Sequence, residues 1–471
     1  MREDVRKAIL KCEIDLSKFG GITEAFHTPD QPGRILWVQT KGVFQSKVYN
    51  QITRGMYSRG IKGMVARAAR KSNISIPGFH LFHPLRNDER DIFSMILTDT
   101  RGKKIWQYGQ PYHDRYYCSH QGENIVGFAD VNADGKTEII TIYEPGKLGV
   151  FSVDSGKLLG EVELPADNFS MIKTAKSGKG PMDFTILVGN SETAYPPHIY
   201  SNPIILFDAK LNVICQHELP GGIGHSVQVF DADGDGNEEF FAGYTLINHD
   251  GSIIWTAEPR VTCLDNKSAA AGHADCSAIL YSKRDSDWKV AVAGSNRLFM
   301  FNSQGEKLWD REVIHSQYLL VGRFLPGDEN IYIFHIQCRH VMELIDLNGN
   351  LIWKGKLPSN WPAARPSLVP NDDCFHMGRP ASLLNNPFND GNDLIVYNEA
   401  GWPYAVDGLG DKKLIFPYPE SALQGEHPFP AGFRPDDFGY GYRAVVADID
   451  GNGREEVIVH DRDTAWIYGL G

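Results

Sequence analysis

The chain has little that would take it out of water. No apolar run in its 471 residues is long enough to span a bilayer as a helix. Its first residues, MREDVRKAILKCEIDLSKFGG, lack the apolar centre of a signal peptide. A reduced, cytoplasmic protein is therefore expected, or a secreted one if a signal preceded this sequence. Cysteine is sparse: seven residues at scattered positions cannot all pair, and their spacing gives no disulfide framework. Positive charge is the minority, with 47 Lys and Arg against 59 Asp and Glu, a net charge of −12. That balance excludes nonspecific nucleic-acid binding, and an acidic ligand would need a local basic funnel. Substantial helical periodicity is missing too. What is abundant is Gly, Pro and aromatic residues, a composition that suits a globular β protein and argues against disorder.

Against that background one nine-residue pattern occurs three times. It reads Asp130-Val-Asn132-Ala-Asp134-Gly-Lys-Thr-Glu138, Asp231-Ala-Asp233-Gly-Asp235-Gly-Asn-Glu-Glu239 and Asp448-Ile-Asp450-Gly-Asn452-Gly-Arg-Glu-Glu456. Carboxylates this dense repel one another unless a hard cation sits among them, and Ca²⁺ takes six to eight oxygen ligands. The final Glu comes too early for an EF-hand, and each loop runs into an apolar, β-rich segment rather than a helix. These twelve residues are the expected Ca²⁺ ligands. The plain alternative is an acidic Gly turn without metal.

A second repeat interleaves with the first: a short β run, a turn with Asp or Asn and Gly, then an apolar run ending in Trp. Its copies are Ile96–Trp106, Leu246–Trp255, Leu298–Trp309 and Leu344–Trp353, with weaker ones at Asp154-Ser-Gly156 and Phe207-Asp208. Such turns between alternating apolar residues are hairpin signals. Units of four strands repeating about every 45–60 residues specify an all-β fold, a β-propeller. Counting hairpins gives seven blades, with eight as the alternative. Residues 1–30 read as a short helix or extended cap, and 31–471 as a single propeller closed by C-terminal strands that share a blade with the N-terminal segment. The hairpin Trp residues are expected to pack blade against blade.

With the propeller in place, five segments follow one another in a telling order. They are HDRYYCSHQGENIVGFADVNAD (113–134), Tyr200-Ser-Asn-Pro-Ile-Ile-Leu-Phe-Asp208, Gly222-Ile-Gly-His225-Ser-Val-Gln-Val-Phe-Asp231, Gly272-His-Ala-Asp275 and His315-Ser-Gln-Tyr-Leu-Leu-Val-Gly322. The series, with the C-terminal Tyr442-Arg443-Ala-Val-Val-Ala-Asp448, resembles the propeller polysaccharide lyases. It is most similar to ulvan lyases and rhamnosyl-glucuronate lyases, and more distantly to rhamnogalacturonan lyases. The resemblance implies β-elimination at a uronic acid linked to rhamnose or a similar sugar, giving an unsaturated uronate. That reaction needs the carboxylate neutralised, a base for the C5 proton and an acid for the leaving oxygen.

Matched onto this chain, Tyr200 stands at the family's catalytic Tyr and His120 at an active-site His. His225 precedes the second acidic loop, and His113 substitutes for an earlier family His whose region here is Thr98–Arg101. The family's neutralising Arg would fall at Gln216-His217, so Arg115, Arg260 and Arg443 are the replacements. Tyr116 joins them as a sugar contact. The implied partner is an acidic polysaccharide or oligosaccharide, with no nucleic acid and no membrane, met by a monomer or small homo-oligomer. The rivals are a non-catalytic integrin-like or carbohydrate-binding propeller, and a hydrolase that would need a pair of carboxylates. Separately, His335-Ile-Gln-Cys338-Arg-His340 places three potential metal ligands close together, enough to raise a Zn²⁺ site completed by His273, Cys276 or His315.

Overall fold

Short runs of alternating apolar residues make strands, and the Gly-containing turns between them make those strands antiparallel. The computed structural model describes residues 5–20, 24–40, 93–111, 125–189, 203–257, 274–356, 381–420 and 442–470, apart from a few positions within these ranges. Their strands form eight sheets, each a four-stranded antiparallel blade. Blade 2 shows the plan: Val126–Ala129, Glu138–Glu144, Lys147–Phe151 and Leu158–Glu163 lie side by side in that order. Blade 1 spans residues 24–108, blade 3 171–217, blade 4 227–256, blade 5 274–312, blade 6 316–355 and blade 7 381–415. First strands of neighbouring blades pack against one another, so they line the axis and fourth strands form the rim. This is an eight-bladed β-propeller, the higher of the two expected counts. Among the described residues no helix is long and apolar enough to cross a membrane.

Within residues 1–30, where the sequence reads as a short helix or cap, the chain instead forms blade strands. Glu24–His27 is the inner strand of blade 1. Ile9–Asp15 pairs antiparallel with Thr464–Gly469 and is the rim strand of blade 8, whose other strands are Arg443–Ala447 and Glu456–His460. Blade 8 is thus built from both ends of the chain, as the closure argument requires. Arg6–Lys7 adds a fifth, parallel strand to the rim of blade 7.

The core is divided in the same way as the ring. Eight buried apolar clusters fill eight seams, one between each pair of neighbouring blades. The seam between blades 8 and 1, for example, joins Ile458, Ala465 and Ile467 to Ile35, Trp37 and Ile96. A blade is therefore apolar on both faces and stable only between two others.

The Trp repeat acts at these seams. Trp106 on the rim strand of blade 1 donates its Nε1–H to the Val153 carbonyl in the third turn of blade 2, at 2.6 Å. Trp255 does the same to Ser303 and Trp309 to Leu347, each at 2.9 Å. The indole lies on the turn glycine of the next blade: a Cβ on Gly156 would come within 2.6 Å of Trp106, and one on Gly305 within 2.7 Å of Trp255. These glycines also hold φ of +66° and +80°, so both space and backbone call for Gly. In blades 1, 3, 5, 6 and 7 the Asp or Asn that opens this turn accepts two backbone N–H groups, as Asp346 does from Asn348 and Asn350 at 2.9 and 2.8 Å.

One seam reverses the pair. Blade 2 carries Gly160 where others carry Trp, and the facing turn of blade 3 carries Leu211 where others carry Gly. Leu211 sits at φ +63°, with its Cδ1 3.8 Å from where a Gly160 Cβ would be. The Leu side chain fills the space an indole fills elsewhere, at the cost of a left-handed backbone. Restoring the common pairing predicts strong coupling. Gly160→Trp and Leu211→Gly should each destabilise alone, while the double variant recovers about 1–2 kcal/mol relative to their sum in a urea-unfolding cycle. Additive effects would overturn the exchange.

Candidate functional site

The three acidic loops are the first turns of blades 2, 4 and 8, joining inner to second strand. Their internal bonding is the same in each. The opening Asp accepts two backbone N–H groups: Asp130 from Asp134 and Gly135, Asp231 from Gly234 and Gly236, Asp448 from Asn452 and Gly453, at 2.8–3.1 Å. The closing Glu turns back into the loop, its Oε2 accepting from Val131 (2.9 Å), Ala232 (2.7 Å) or Ile449 (3.0 Å). Glu138, Glu239 and Glu456 are all buried. Position five acts differently, since Asp134, Asp235 and Asn452 each accept the N–H two residues on.

This arrangement gathers charge. In the second loop, ligand atoms of Asp231, Asp233 and Glu239 lie within 4.8 Å of one another, and in the third so do those of Asp448, Asp450 and Glu456. Oxygens at that spacing fit around one divalent ion with bonds of about 2.3–2.6 Å. Burial, reinforced by the neighbouring aspartates, pushes the Glu239 carboxyl above its ordinary range, and burial does the same to Glu138. Both are signs of negative charge without enough compensation. In the first loop Asn132 takes the place of an aspartate and donates its Nδ2 to Glu138 Oε1 at 3.0 Å.

Position eight of these loops carries a function that the sequence pattern hides. Glu238 Oε2 accepts the Lys176 N–H of blade 3 at 2.8 Å. Glu455 grips Asn385 of blade 7 through both N and Nδ2 at 2.7 Å, and Thr137 Oγ1 donates to the Pro29 carbonyl of blade 1. Blade 7 has a degenerate fourth copy of the loop. There Asn386 replaces the first Asp, Asp393 holds the Arg323 N–H of blade 6 at 2.8 Å, and buried Leu394 stands where the Glu would be. The missing signal was the eighth position, visible only once neighbouring strand ends are known.

The catalytic and sugar-binding candidates His113, Arg115, Tyr116, His120, Tyr200, His225 and Arg260 lie outside the described residues. Their segments nonetheless have described boundaries. His113, Arg115, Tyr116 and His120 fall between the rim strand of blade 1 and the inner strand of blade 2. Tyr200 falls between the second and third strands of blade 3, and His225 and Arg260 between blades 3 and 4 and blades 4 and 5. In an antiparallel meander those strand ends lie on one face, and the first and third turns lie on the other. Lys136 of the first acidic loop pairs with Asp154 of the third turn of blade 2, as that geometry requires. The acidic loops are therefore opposite the strand ends that bound the catalytic candidates.

Two further candidates, Arg443 and His335, and the non-candidate His217 are described with their partners. Arg443 is mostly buried on the inner strand of blade 8, with NH1 3.3 Å from Glu24 Oε1 on the inner strand of blade 1. Its guanidinium thus helps to close the ring. His217, at the position of the family's Arg, lies on the rim strand of blade 3 and donates Nε2–H to the Gly251 carbonyl at 2.6 Å. Of the three expected Zn²⁺ ligands only His335 is described. It is fully buried, with Nδ1 3.1 Å from Ser316 Oγ and Nε2 3.1 Å from Glu343 Oε2, so both nitrogens have protein partners. Against the upward push of burial, hydrogen bonds from His335 and Lys354 hold Glu343 down at about 2. Cys338 and His340 lie outside the described residues.

No protein-family model matches the chain, and no curated protein is similar to it. The similarity is structural. An exotype rhamnogalacturonan lyase, YesX, overlaps 97% of this chain and 75% of its own at TM-score 0.56 and 14% identity. A rhamnogalacturonan lyase of Bacillus licheniformis overlaps the same shares at 0.51 and 14%. The V. cholerae biofilm matrix protein Bap1 overlaps 99% and 92% at 0.54 and 11%. Identities this low show a common fold.

The loop chemistry predicts a calcium effect with a definite pH sign. Because the folded-state pKa of Glu239 is raised, its stabilising contribution is complete below the ordinary value of 4.5 and is lost as pH rises through the raised one. Calcium requires the ionised form and reverses that trend. In EGTA, wild type should lose about 1–3 °C in Tm relative to Glu239→Gln between pH 5 and 7.5, and with millimolar calcium it should gain instead. A difference that is flat in pH and indifferent to calcium would rule the site out.

Proposed function

We propose that the protein is a polysaccharide or oligosaccharide lyase that cleaves beside a uronic acid linked to rhamnose or a similar sugar. The observation that carries this reading is the ordered series of His- and Tyr-bearing segments. The strand ends that bound its His and Tyr candidates lie on one face of the eight-bladed ring, which supports the reading. The overlap with rhamnogalacturonan lyases supports the scaffold. In the proposed reaction Tyr200 takes the C5 proton and Tyr200 or His120 returns one to the leaving oxygen. Arg115 or Arg260, with His113 or His225 and the Tyr116 ring, holds the uronate. Arg443 is the weakest of the arginine candidates, because Glu24 already uses its charge.

Calcium in this proposal serves the fold. Asp130, Asn132, Asp134 and Glu138, with their counterparts in the second loop, would hold it on the face away from the chemistry, and there it would neutralise buried carboxylates. The second reading is a non-catalytic carbohydrate-binding propeller. It is favoured by an overlap with a biofilm matrix protein comparable to that with the lyases, and by the absence of an Arg at the position the lyase resemblance implies.

Absorbance near 235 nm separates the two, because elimination alone creates an unsaturated uronate. Incubation with ulvan, rhamnogalacturonan, gum arabic and their oligosaccharides should give a rise, and Tyr200→Phe should slow it by at least about 10²-fold. A rise untouched by that change keeps the lyase and removes Tyr200. Binding without any rise establishes the second reading.

A further inference from the structure

The acidic loops share one electrostatic problem and solve it in three ways. Each buries a Glu whose Oε2 is bound by backbone while Oε1 faces loop carboxylates. In the first loop the neutral Asn132 amide answers it. In the second, His249 Nδ1 stands 3.8 Å from Glu239 Oε1. In the third an ammonium arrives from another part of the chain: Lys11 Nζ is 2.6 Å from Glu456 Oε1 and 3.3 Å from Asp450 Oδ2.

The path of Lys11 is built into the strand. On the closing strand Ile9–Asp15, Leu10 pairs with Tyr468 and Cys12 with Ile467, so Lys11 is the extra residue of a bulge. A bulge re-aims the side chain it carries. Its stem then crosses Gly469, where a Cβ would lie only 2.2 Å from Lys11 Cε. Bulge, glycine and acidic cluster together direct one long cationic side chain, itself partly exposed, across the surface to the loop.

We propose that Lys11 is the resident cation of the third loop, and that it takes the place of a divalent ion among Asp448, Asp450 and Glu456. Closure of the ring at blade 8 is then independent of calcium, even where the second loop depends on it. The proposal concerns the chain's own charges and stands apart from the lyase reading.

Equilibrium dialysis of the full chain against calcium, with bound ion counted by atomic absorption, tests it. Asp448→Asn in the otherwise wild-type chain should leave the number of bound ions unchanged. Lys11→Met should bind one more ion per chain than wild type, Lys11→Arg no more, and Gly469→Ala, which obstructs the stem, one more. Loss of an ion in Asp448→Asn, or no gain in Lys11→Met folded by circular dichroism, overturns the proposal. If the first two loops bind nothing, the count starts from zero and the Lys11→Met gain still reads out this loop alone.

Discussion

Every other feature of this molecule depends on the burial of both faces of each blade. A four-stranded sheet with Ile, Val and Phe on both sides cannot stand alone in water, and each of the eight clusters needs side chains from two blades. The ring must therefore close or every seam is exposed to opening from the gap. Closure uses unlike means at three radii. Glu24 and Arg443 pair near the axis, the apolar cluster around Trp37 and Ile458 fills the middle, and Ile9–Asp15 hydrogen-bonds Thr464–Gly469 at the rim. Only the last depends on the chain ends, and it leaves no free edge between first and last blade.

The parts of this fold that were legible in the sequence are those whose cause is local. Gly at Gly156 and Gly305 is demanded by a turn conformation set within a few residues, while the indole pressed on each, Trp106 and Trp255, comes from the preceding blade. The acidic loops are equally local, since each opening Asp bonds to amides within its own turn. Blade 7 was hard to count because its signals degrade together. Leu414 stands where a Trp would end the hairpin, Leu394 replaces the loop Glu, and both are buried apolar residues doing the same packing without the motif. Blade 1 shows only its outer hairpin, Ile96–Trp106, in the sequence, because its second and third strands are separated by residues 41–92.

The candidate site was less legible, for a related reason. What His335 does is decided by Ser316 on the strand before it and Glu343 on the strand after it, a cross-strand relation that spacing along the chain does not reveal. Three potential metal ligands within six residues suggest a zinc cluster, and only strand pairing shows that the histidine bridges a hydroxyl and a carboxylate. Glu238 and Glu455 were passed over for the converse reason: their partners belong to the preceding blade. Residues whose roles lie across a seam are invisible until the seam is known.

The division of labour between the two faces follows from connection length. First and third turns must be tight, because they set the register of strands and touch the next blade. Their side chains are already committed to Asp–amide bonds, indole–glycine contacts and position-eight clasps. Connections between second and third strands, and between blades, bear no such duty and can vary in length, as 41–92, 190–202 and 258–273 do here. Chemistry that must change with substrate is best placed where sequence is free to change, and rigidity where it is not. On that argument carboxylates in the tight turns act as girders whichever group faces the buried Glu, the Asn132 amide, the His249 ring or the Lys11 ammonium, and the choice is open to each blade separately. Blade 8, which must hold both chain ends, uses the one counter-ion that is covalently part of the strand being held.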